Sequence, residues 1–294
     1  MAAFLREGYT VRAATRRPTS FPDSVEEVIV PDFRDIVDWK PILRDVEIVI
    51  HLAGLAHADA NDVPFGVYDQ INWIVTAQLA NAAKKARVKR FIYISSVRAQ
   101  TGASAAQIVR ERDKPIPTDH YGRSKLAAEW AIKSVHLPFT ILRPVVVYGP
   151  HPKGNIRQLV RLASLPLPLP MNGLTARRSL LGIDNLISAI IFVMNNQRTL
   201  GQALLVVDPV PYTLPEIFTM LRKAQGRSPW LVCAPQFFIR HALILSGYRH
   251  LWERIGSSSV VATTKLESFG WRAPVDTYEG IVAMVRAEDG KAAK

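Results

Sequence analysis

The sequence contains a single cysteine, Cys233, among its 294 residues. One cysteine excludes a disulfide framework and a cysteine-based metal cluster, and it fits a reducing compartment. The histidines show no metal-ligand spacing such as His-Glu-x-x-His. We therefore expect no metal site, and we expect a cytoplasmic protein.

The sequence has no apolar run long enough to span a bilayer. The late apolar stretch from Phe237 to Leu251 is interrupted by Arg240, His241 and Arg249. A stretch of this kind can lie on a membrane surface as a peripheral contact. We nevertheless expect it to form a packed helix beneath a substrate-binding lobe.

Acidic residues are outnumbered, because 37 Lys and Arg against 25 Asp and Glu give a formal net charge of +12. Such a balance indicates either a basic soluble surface or an anionic partner. No RNA-reading or helix-turn-helix signature accompanies the charge, so we do not expect nucleic-acid binding. A phosphate-bearing small ligand is the better functional explanation.

Predicted strands and helices alternate along the first half of the chain. Short apolar strands are predicted over residues 9–15, 25–30, 46–52 and 90–96, and a helix is predicted from Tyr68 to Ala86. This alternation predicts an α/β fold with a doubly wound parallel sheet. Ligands bind such sheets at the carboxyl ends of the strands. The residues expected near that edge are Gly54, Ser95, Ser96, Tyr121 and Gly149.

The stretch Tyr121-Gly122-Arg123-Ser124-Lys125 opens a helical pattern that continues through Ile132. Residues four apart share a helix face, so Tyr121 and Lys125 are predicted to be neighbours. An ammonium beside a phenol favours the phenolate and lowers the tyrosine pKa toward the range of a general acid/base. The motif alone is weak evidence, because short motifs also arise by chance.

The order of five motifs resembles the extended short-chain dehydrogenase/reductase superfamily, in its nucleotide-sugar epimerase/dehydratase branch of the UDP-glucose 4-epimerase type. The matching segments are residues 49–54, 91–96, 121–125, 142–150 and 178–184. The resemblance implies a Rossmann-like dinucleotide-binding domain and a smaller α/β substrate lobe. The implied ranges are 1–150 with 179–208 for the former, and 151–178 with 209–294 for the latter.

The resemblance also implies roles for individual residues. Tyr121 is the acid/base, Lys125 lowers its pKa and holds the nicotinamide ribose, and Ser96 hydrogen-bonds the reacting oxygen. The implied cofactor contacts are Arg16, Asp32, Phe33, Leu52, Ala53, Gly54, Asn72 and Lys125. Asn155 and Arg178 match positions that contact the diphosphate of a UDP-sugar, where a guanidinium can grip phosphate oxygens with two parallel hydrogen bonds.

Each of these roles has a structural alternative. Without the family, Ser95 and Ser96 simply end a strand, Arg178 is a solvated charge and Asn72 faces solvent on its helix. The residues His51 and His57 are expected to be structural rather than catalytic.

The family's opening strand and Gly-x-x-Gly-x-x-Gly turn, which seats the cofactor pyrophosphate, do not occur in this sequence. The first residues match the helix that follows that turn. We expect Met1 to be internal to a longer reading frame, and the alternative is a decayed copy. We expect weak cofactor binding by the chain as written.

The strand predicted over residues 9–15 corresponds to the second strand of the family, and its end bears on the choice of cofactor. It reads Thr15-Arg16-Arg17 with no acidic residue nearby in the sequence, which favours NADP over NAD. The alternative is a pair of arginines on an exposed loop.

The leading hypothesis is a nucleotide-sugar oxidoreductase acting at sugar C4, as a 4-epimerase or a 4-keto reductase in surface-polysaccharide precursor synthesis. A dehydratase is disfavoured, because Val97 and Arg98 follow Ser96 where that branch carries an acidic pair. The alternative from another class is a non-catalytic or decayed dinucleotide-binding homologue acting as a sensor or scaffold. A serine hydrolase lacks its Gly-x-Ser-x-Gly elbow. The resemblance to the family also implies a homodimer, formed through the helices over Tyr68–Ala86 and Tyr121–Ser134.

Overall fold

The computed structural model describes residues 1–56, 66–102, 104–105, 107–247, 252, 255–262 and 264–292. His57 and residues 248–251 of the Phe237–Leu251 stretch lie outside the described residues. The chain divides into two compact units. The first unit comprises residues 1–95, 119–142 and 190–203, and the second comprises residues 96–118, 143–189 and 204–294. These boundaries differ from the predicted domain ranges, whose functional assignment stays a prediction.

The strands follow one another along the chain in the order listed here: β1 (Val11–Thr15), β2 (Val25–Ile29), β3 (Ile48–His51), β4 (Arg90–Ile94), β5 (Phe139–Pro144), β6 (Val146–Tyr148), β7 (Arg177–Arg178), β8 (Leu180–Gly182), β9 (Gln202–Val206) and β10 (Tyr212–Thr213). The α-helices are α1 (Ala2–Arg6), α2 (Trp39–Ile42), α3 (Val75–Lys85), α4 (His120–Val135), α5 (Gly154–Ala163), α6 (Ile183–Asn195), α7 (Leu214–Ala224), α8 (Gln236–Leu245), α9 (Thr264–Ser268) and α10 (Thr277–Ala292).

Parallel strand pairing dominates the sheets. β1 pairs in parallel with β2, and β3, β4 and β5 pair in parallel within a four-stranded sheet of order β3-β4-β5-β9. In the register of that sheet, Ile48 lies opposite Arg90 and Phe91 opposite Phe139. The predicted α/β class and parallel pairing are confirmed. β1 and β2 form a two-stranded sheet of their own rather than extending the four-stranded one.

The core of the first unit lies around β4, whose five residues are all buried. A strand covered on both faces is apolar along its length, which explains the run Phe91-Ile92-Tyr93-Ile94. Helices α3 and α4 contribute Val75 and Ile132 to the same core. This packing fixes the carboxyl end of β4 beside the first turns of α4.

The helix predicted from Tyr68 begins with a π-helical segment, Asp69–Ile74, before α3. This segment was not expected from the sequence. Asn72 is buried within it, contrary to the alternative in which it faces solvent. Wide π-helical turns occur frequently at functional sites, because they redirect side chains that a regular helix would present elsewhere.

The second unit is organised around the buried carboxylate of Asp208. It accepts hydrogen bonds from the Tyr148 hydroxyl at 3.0 Å, from Asn185 Nδ2 at 2.8 Å and from the Gly182 N–H at 3.2 Å. Burial, followed by the charge of Asp208, raises the pKa of Tyr148, so its phenol remains neutral. Because β6 pairs with β8, this network holds the ends of two neighbouring strands.

The packed helix expected over the Phe237–Leu251 stretch is observed in part. α8 forms, and its Ile239 packs against the core of the second unit. None of the residues of α8 is fully buried, and Phe237 and Phe238 are 54% and 59% exposed. The apolar composition of the segment therefore overstated its burial.

Candidate active site

Tyr121 lies in the first turn of α4, which begins with a capped N-terminus. The Asp119 side chain accepts a hydrogen bond from the Gly122 N–H at 2.7 Å, a standard way of satisfying a helix N-terminus. Tyr121 is half-buried, and its ring meets the ring of Tyr68 edge-on at 6.3 Å between centroids. The cap and the aromatic contact together position the phenol predicted to be the acid/base.

Lys125 follows one turn later on α4 and is buried at 4% exposure. Its Nζ donates a hydrogen bond to the carbonyl of Ile94 at 3.1 Å, at the carboxyl end of β4. The same Nζ lies 4.8 Å from the centroid of the Tyr93 ring, a cation–π distance. Burial lowers the pKa of Lys125 to about 8, against an opposing effect of the Glu129 carboxylate. The ammonium is therefore held at the carboxyl end of β4.

Asn72 connects α4 to the loop that follows β3. Its Oδ1 accepts a hydrogen bond from the Leu55 N–H at 2.7 Å, and its Nδ2 donates to the Leu55 carbonyl at 3.0 Å. The Nδ2 group also donates to Ser124 Oγ at 3.0 Å, and that hydroxyl donates to the Tyr121 carbonyl at 2.8 Å. The fully buried Asn72 thus supports the site by fixing both the loop and the first turn of α4.

The residues after β3 form an exposed edge beside Lys125. Leu52 is 63% exposed, and Ala53 and Gly54 are exposed as well. A Cβ added at Gly54 would lie 2.9 Å from Asn72 Oδ1 and 3.0 Å from Lys125 Nζ. Only glycine therefore allows this backbone to approach the ammonium so closely. An exposed backbone beside an N–H donor fits the ribose of a nicotinamide dinucleotide.

Ser95 and Ser96 have different environments although they are adjacent in the sequence. Ser95 Oγ donates a 2.6 Å hydrogen bond to Glu129 Oε1, and both residues are buried. Its hydroxyl thus binds α4, while Ser95 itself directly follows the carboxyl end of β4. Ser96 Oγ accepts a hydrogen bond from the Arg98 N–H at 3.2 Å at the start of a short 3₁₀ turn. Ser96 falls in the second unit, and its catalytic role stays a prediction.

Sequence reasoning missed Glu129, the buried carboxylate of this cluster. It lies four residues after Lys125 and therefore on the same face of α4. The available signal was a single charged residue within the otherwise small and apolar run from Leu126 to Ile132. A buried ammonium requires a nearby opposite charge, and Glu129 supplies it.

His51 is a structural residue, as expected. Its Nε2 lies 2.8 Å from Thr76 Oγ1, and that hydroxyl donates to the Asn72 carbonyl at 2.7 Å. Because the hydroxyl has only one proton to donate, Nε2 of His51 must carry the ring proton. Burial, followed by the charge of Lys125, lowers the pKa of His51 to about 3, so the ring is neutral. It stacks on Tyr93 at 5.6 Å.

Two of the implied cofactor contacts, Asp32 and Phe33, are each held by a neighbouring side chain. Arg34 donates two hydrogen bonds to the Asp32 carboxylate, from Nε to Oδ1 at 3.0 Å and from Nη2 to Oδ2 at 3.1 Å. The hydrogen bonds from Arg34 lower the pKa of Asp32 to about 2. Phe33 packs against Trp39 with ring centroids 6.0 Å apart.

The premise that no acid lies near Arg16 holds in the sequence but is wrong in space. Arg16 Nη1 lies 3.8 Å from Asp32 Oδ2. The neighbouring Thr15 hydroxyl donates to Glu27 Oε1 at 2.7 Å. Two carboxylates therefore lie beside this strand end, because parallel pairing of β1 with β2 brings the second strand alongside it.

The predicted substrate contacts lie in the second unit. Asn155 is exposed in the first turn of α5. Arg178 on β7 is half-buried, and its Nη2 donates to the Ser257 carbonyl at 3.0 Å. Arg178 is therefore a hydrogen-bonded residue rather than a freely solvated charge. Its contact with a diphosphate stays a prediction.

Two features are absent from the residues that the structure describes. None of the helices there is both long and apolar enough to cross a membrane. In the same residues, no group of three or more His, Cys, Asp or Glu side chains is placed to hold a metal ion.

The parallel sheet is followed by a helix with the Tyr-x-x-x-Lys motif, and the lysine is hydrogen-bonded at the carboxyl end of a strand. These features are typical of dinucleotide-binding proteins of the oxidoreductase type. Residues 1–206 match the NAD dependent epimerase/dehydratase family. The chain is 30% identical over 292 residues to the UDP-glucose 4-epimerase of Vibrio cholerae, covering 96% of this chain and 89% of that protein. The chain therefore belongs to the NAD dependent epimerase/dehydratase family, within the extended short-chain dehydrogenase/reductase superfamily.

Solved structures share the fold at lower sequence identity. MoeE5 in complex with UDP-glucuronic acid and NAD superposes with a TM-score of 0.78 at 23% identity, covering 99% of this chain and 94% of that one. WbmG of Bordetella bronchiseptica in complex with NAD gives a TM-score of 0.74 at 20% identity, covering 98% and 89%. These likenesses confirm the Rossmann-like fold.

Proposed function

We propose that this protein is an NAD(P)-dependent nucleotide-sugar epimerase that inverts C4 of a UDP-sugar. The observation that carries the proposal is the placement of Lys125 Nζ at the carboxyl end of β4, one helical turn after Tyr121. Family membership and the similarity to the Vibrio cholerae UDP-glucose 4-epimerase support it. That similarity also makes UDP-glucose the first substrate to test.

The chemistry requires one proton acceptor and one hydride acceptor. A bound oxidised dinucleotide would supply the hydride acceptor at C4 and the source of the returning hydride. As the hydride leaves, Tyr121 takes the proton of the C4 hydroxyl, and the sugar becomes a 4-ketose. After the ketose turns over, Tyr121 returns the proton as the hydride arrives at the opposite face, so protons and electrons balance over the cycle.

The other residues support the proton transfer. Lys125 favours the phenolate of Tyr121 by its positive charge and would hold the nicotinamide ribose. Ser96 would hydrogen-bond the reacting oxygen, and Asn72 positions the loop at Gly54 through Leu55. These roles follow from the family resemblance together with the contacts described above.

Substrate binding is proposed to involve Asn155 and Arg178 with the UDP diphosphate. A guanidinium suits a phosphate, and the net charge of +12 favours an anionic substrate. The residues Arg16, Asp32, Phe33, Leu52 and Ala53 are proposed to line the cofactor's path, as the resemblance implies.

The choice between NAD and NADP depends on the strand end at Arg16. The arginine pair favours a 2′-phosphate, whereas the carboxylates of Asp32 and Glu27 beside it favour a 2′-hydroxyl. The preference for NADP therefore stays a prediction. Titration of both cofactors into the protein, followed by fluorescence, decides it by the lower dissociation constant.

The proposed assembly is a homodimer through α4 and the helix formed by Asp69–Ile74 and α3. These helices pack against each other within the first unit and expose two large aromatic side chains, Trp73 at 40% and Trp130 at 60%. Exposed tryptophans on adjacent helices suit a protein interface.

The test is conversion of UDP-glucose to UDP-galactose by the full chain with NAD or NADP, followed by proton NMR of the anomeric signals. Tyr121→Phe should lower the rate by about 10²- to 10⁴-fold, the usual contribution of a general acid/base. Tyr68→Phe, which removes only the hydroxyl of the neighbouring tyrosine and keeps its ring, is the matched control and should retain most activity.

The same assay separates the alternatives. A 4-keto reductase would consume reduced cofactor stoichiometrically with a 4-keto sugar, whereas an epimerase consumes none. A non-catalytic sensor or scaffold would bind dinucleotide without turnover. Equal activity of Tyr121→Phe and the unmodified chain would overturn the proposal.

A further inference from the structure

The second unit exposes a group of large apolar side chains on and beside α8. We call it the α8 surface and define it by Leu162, Leu165, Leu167, Trp230, Val232, Phe237, Phe238, Ile244 and Leu245. Trp230 and Leu167 are 55% and 56% exposed, and Leu245 is 86% exposed. Single exposed apolar residues are ordinary on protein surfaces, whereas several large ones on connected segments indicate an interaction site.

Main-chain hydrogen bonds join the segments that carry the α8 surface. The Leu169 N–H donates to the Trp230 carbonyl at 3.2 Å, and the Val232 N–H donates to the Leu169 carbonyl at 3.0 Å. At the start of α8, Gln236 Nε2 donates to the Gly173 carbonyl at 3.0 Å. The exposed side chains therefore lie on segments that hydrogen bonds hold to each other.

The buried Arg222 fixes the same segments from beneath. Its guanidinium donates to the carbonyls of Leu165 and Leu167 at 3.0 and 2.7 Å. It also donates to the carbonyls of Pro229 and Trp230 at 2.8 and 3.2 Å. Arg222 therefore holds the main chain at Leu165–Leu167 and at Pro229–Trp230 in place, while the apolar side chains of these segments are exposed to solvent.

The α8 surface lies in a part of the sequence almost without acidic residues. Residues 151–183 and 217–252, which include all of its members, contain no Asp or Glu. The same two segments contain exposed basic side chains, namely Lys153, Arg157, Arg161, Lys223, Arg227 and Arg240. The segments that carry the apolar side chains are therefore basic in composition.

We propose that the α8 surface binds an anionic lipid bilayer, with Phe237 and Phe238 entering the interface and the basic side chains contacting lipid phosphates. A short amphipathic helix with exposed aromatic residues and a basic border has the composition of an interfacial helix. Anionic headgroups attract nearby Lys and Arg side chains.

The charge pattern favours a bilayer over a second copy of this chain. Two copies meeting through the α8 surface would bring their basic borders together without opposing carboxylates. Like charges brought together in this way weaken association. An anionic bilayer instead supplies both the apolar phase and the opposite charge.

The experiment is sedimentation of the full chain with sucrose-loaded vesicles. One set contains phosphatidylglycerol and phosphatidylcholine, and the other contains phosphatidylcholine alone. We expect binding to the anionic vesicles to be at least about tenfold tighter, and to weaken in high salt, because several cations contribute. The readout is independent of catalytic activity, so it does not depend on the proposed function.

The main variant is Phe237→Ser/Phe238→Ser, which should lower binding to anionic vesicles by about tenfold or more. The matched control is Ile29→Ser/Ile36→Ser in the first unit, where the two exposed side chains are 51% and 96% accessible. It should bind like the unmodified chain. Circular dichroism checks that both variants fold.

Arg240→Glu gives a second test that leaves the aromatic residues intact. It should reduce binding to anionic vesicles, whereas Lys133→Glu on α4 should not. Failure to bind anionic vesicles, or equal losses in the variants and their controls, overturns the proposal. So does a lipid-free oligomer that Phe237→Ser/Phe238→Ser dissociates, because the α8 surface would then be covered by a second copy.

Discussion

Lys125 provides a quantitative test of the buried cluster, because its burial links stability to pH. Its pKa is lowered from 10.5 to about 8 in the folded protein. Between these two values the unfolded chain binds more protons at this residue than the folded chain does. The free energy of unfolding should therefore rise with pH through this window.

The size of the effect follows from the two pKa values. Each pH unit within the window contributes about 1.4 kcal/mol when one proton is involved. From about pH 7 to about pH 9.5, this residue should add about 2 kcal/mol to the free energy of unfolding. The range stops there because tyrosine phenols begin to ionise in the unfolded chain near pH 10.

The perturbation is Lys125→Met, which keeps the length of the side chain and removes the charge. The absolute stability of this variant also reflects the loss of a counter-charge for Glu129. The informative quantity is therefore the change with pH in the difference between the two proteins. Urea unfolding followed by circular dichroism at both pH values measures it. The difference should shift by about 2 kcal/mol in favour of the unmodified chain at the higher pH.

The control is Lys133→Met, which changes an exposed lysine two turns later on the same helix. Its stability should follow that of the unmodified chain at both pH values. If Lys125→Met and the unmodified chain show parallel pH dependence, the lysine is not buried as a titrating group, and the reasoning is refuted.

Three further predictions concern the supports of the site and the assembly. Asn72→Ala should cost about 1–3 kcal/mol of stability and weaken cofactor binding, because it leaves the part-buried main-chain groups of Leu55 without their partner, whereas the exposed Asn81→Ala should be nearly neutral in urea unfolding. Gly54→Ala should raise the dissociation constant for the dinucleotide, because the added methyl group would contact the Asn72 amide at 2.9 Å, and an unchanged titration would contradict this. Trp130→Glu should convert the proposed dimer to monomer in sedimentation velocity, and a protein that is monomeric without the change would show that the interface was wrongly assigned.

Local sequence patterns determined much of the fold and the first elements of the site. The spacing of Tyr121 and Lys125 follows from the helical period, and the apolar run of β4 predicted a strand. The alternation of strands and helices predicted parallel pairing, in which the carboxyl ends of the strands share one edge of the sheet. These inferences succeeded because each depends on neighbours in the chain or on a general rule of sheet topology.

Contacts between distant parts of the chain were decided only by the tertiary structure. The bond between Ser95 and Glu129 joins residues 34 positions apart, and the bond between Asn72 and Ser124 joins residues 52 apart. Parallel pairing brought carboxylates to Arg16, which the sequence shows without a nearby acid. The exposure of α8 likewise depends on what packs against it and not on its own composition. Periodicity reports which faces of an element are apolar, but only the packing of the whole chain decides which of those faces are covered.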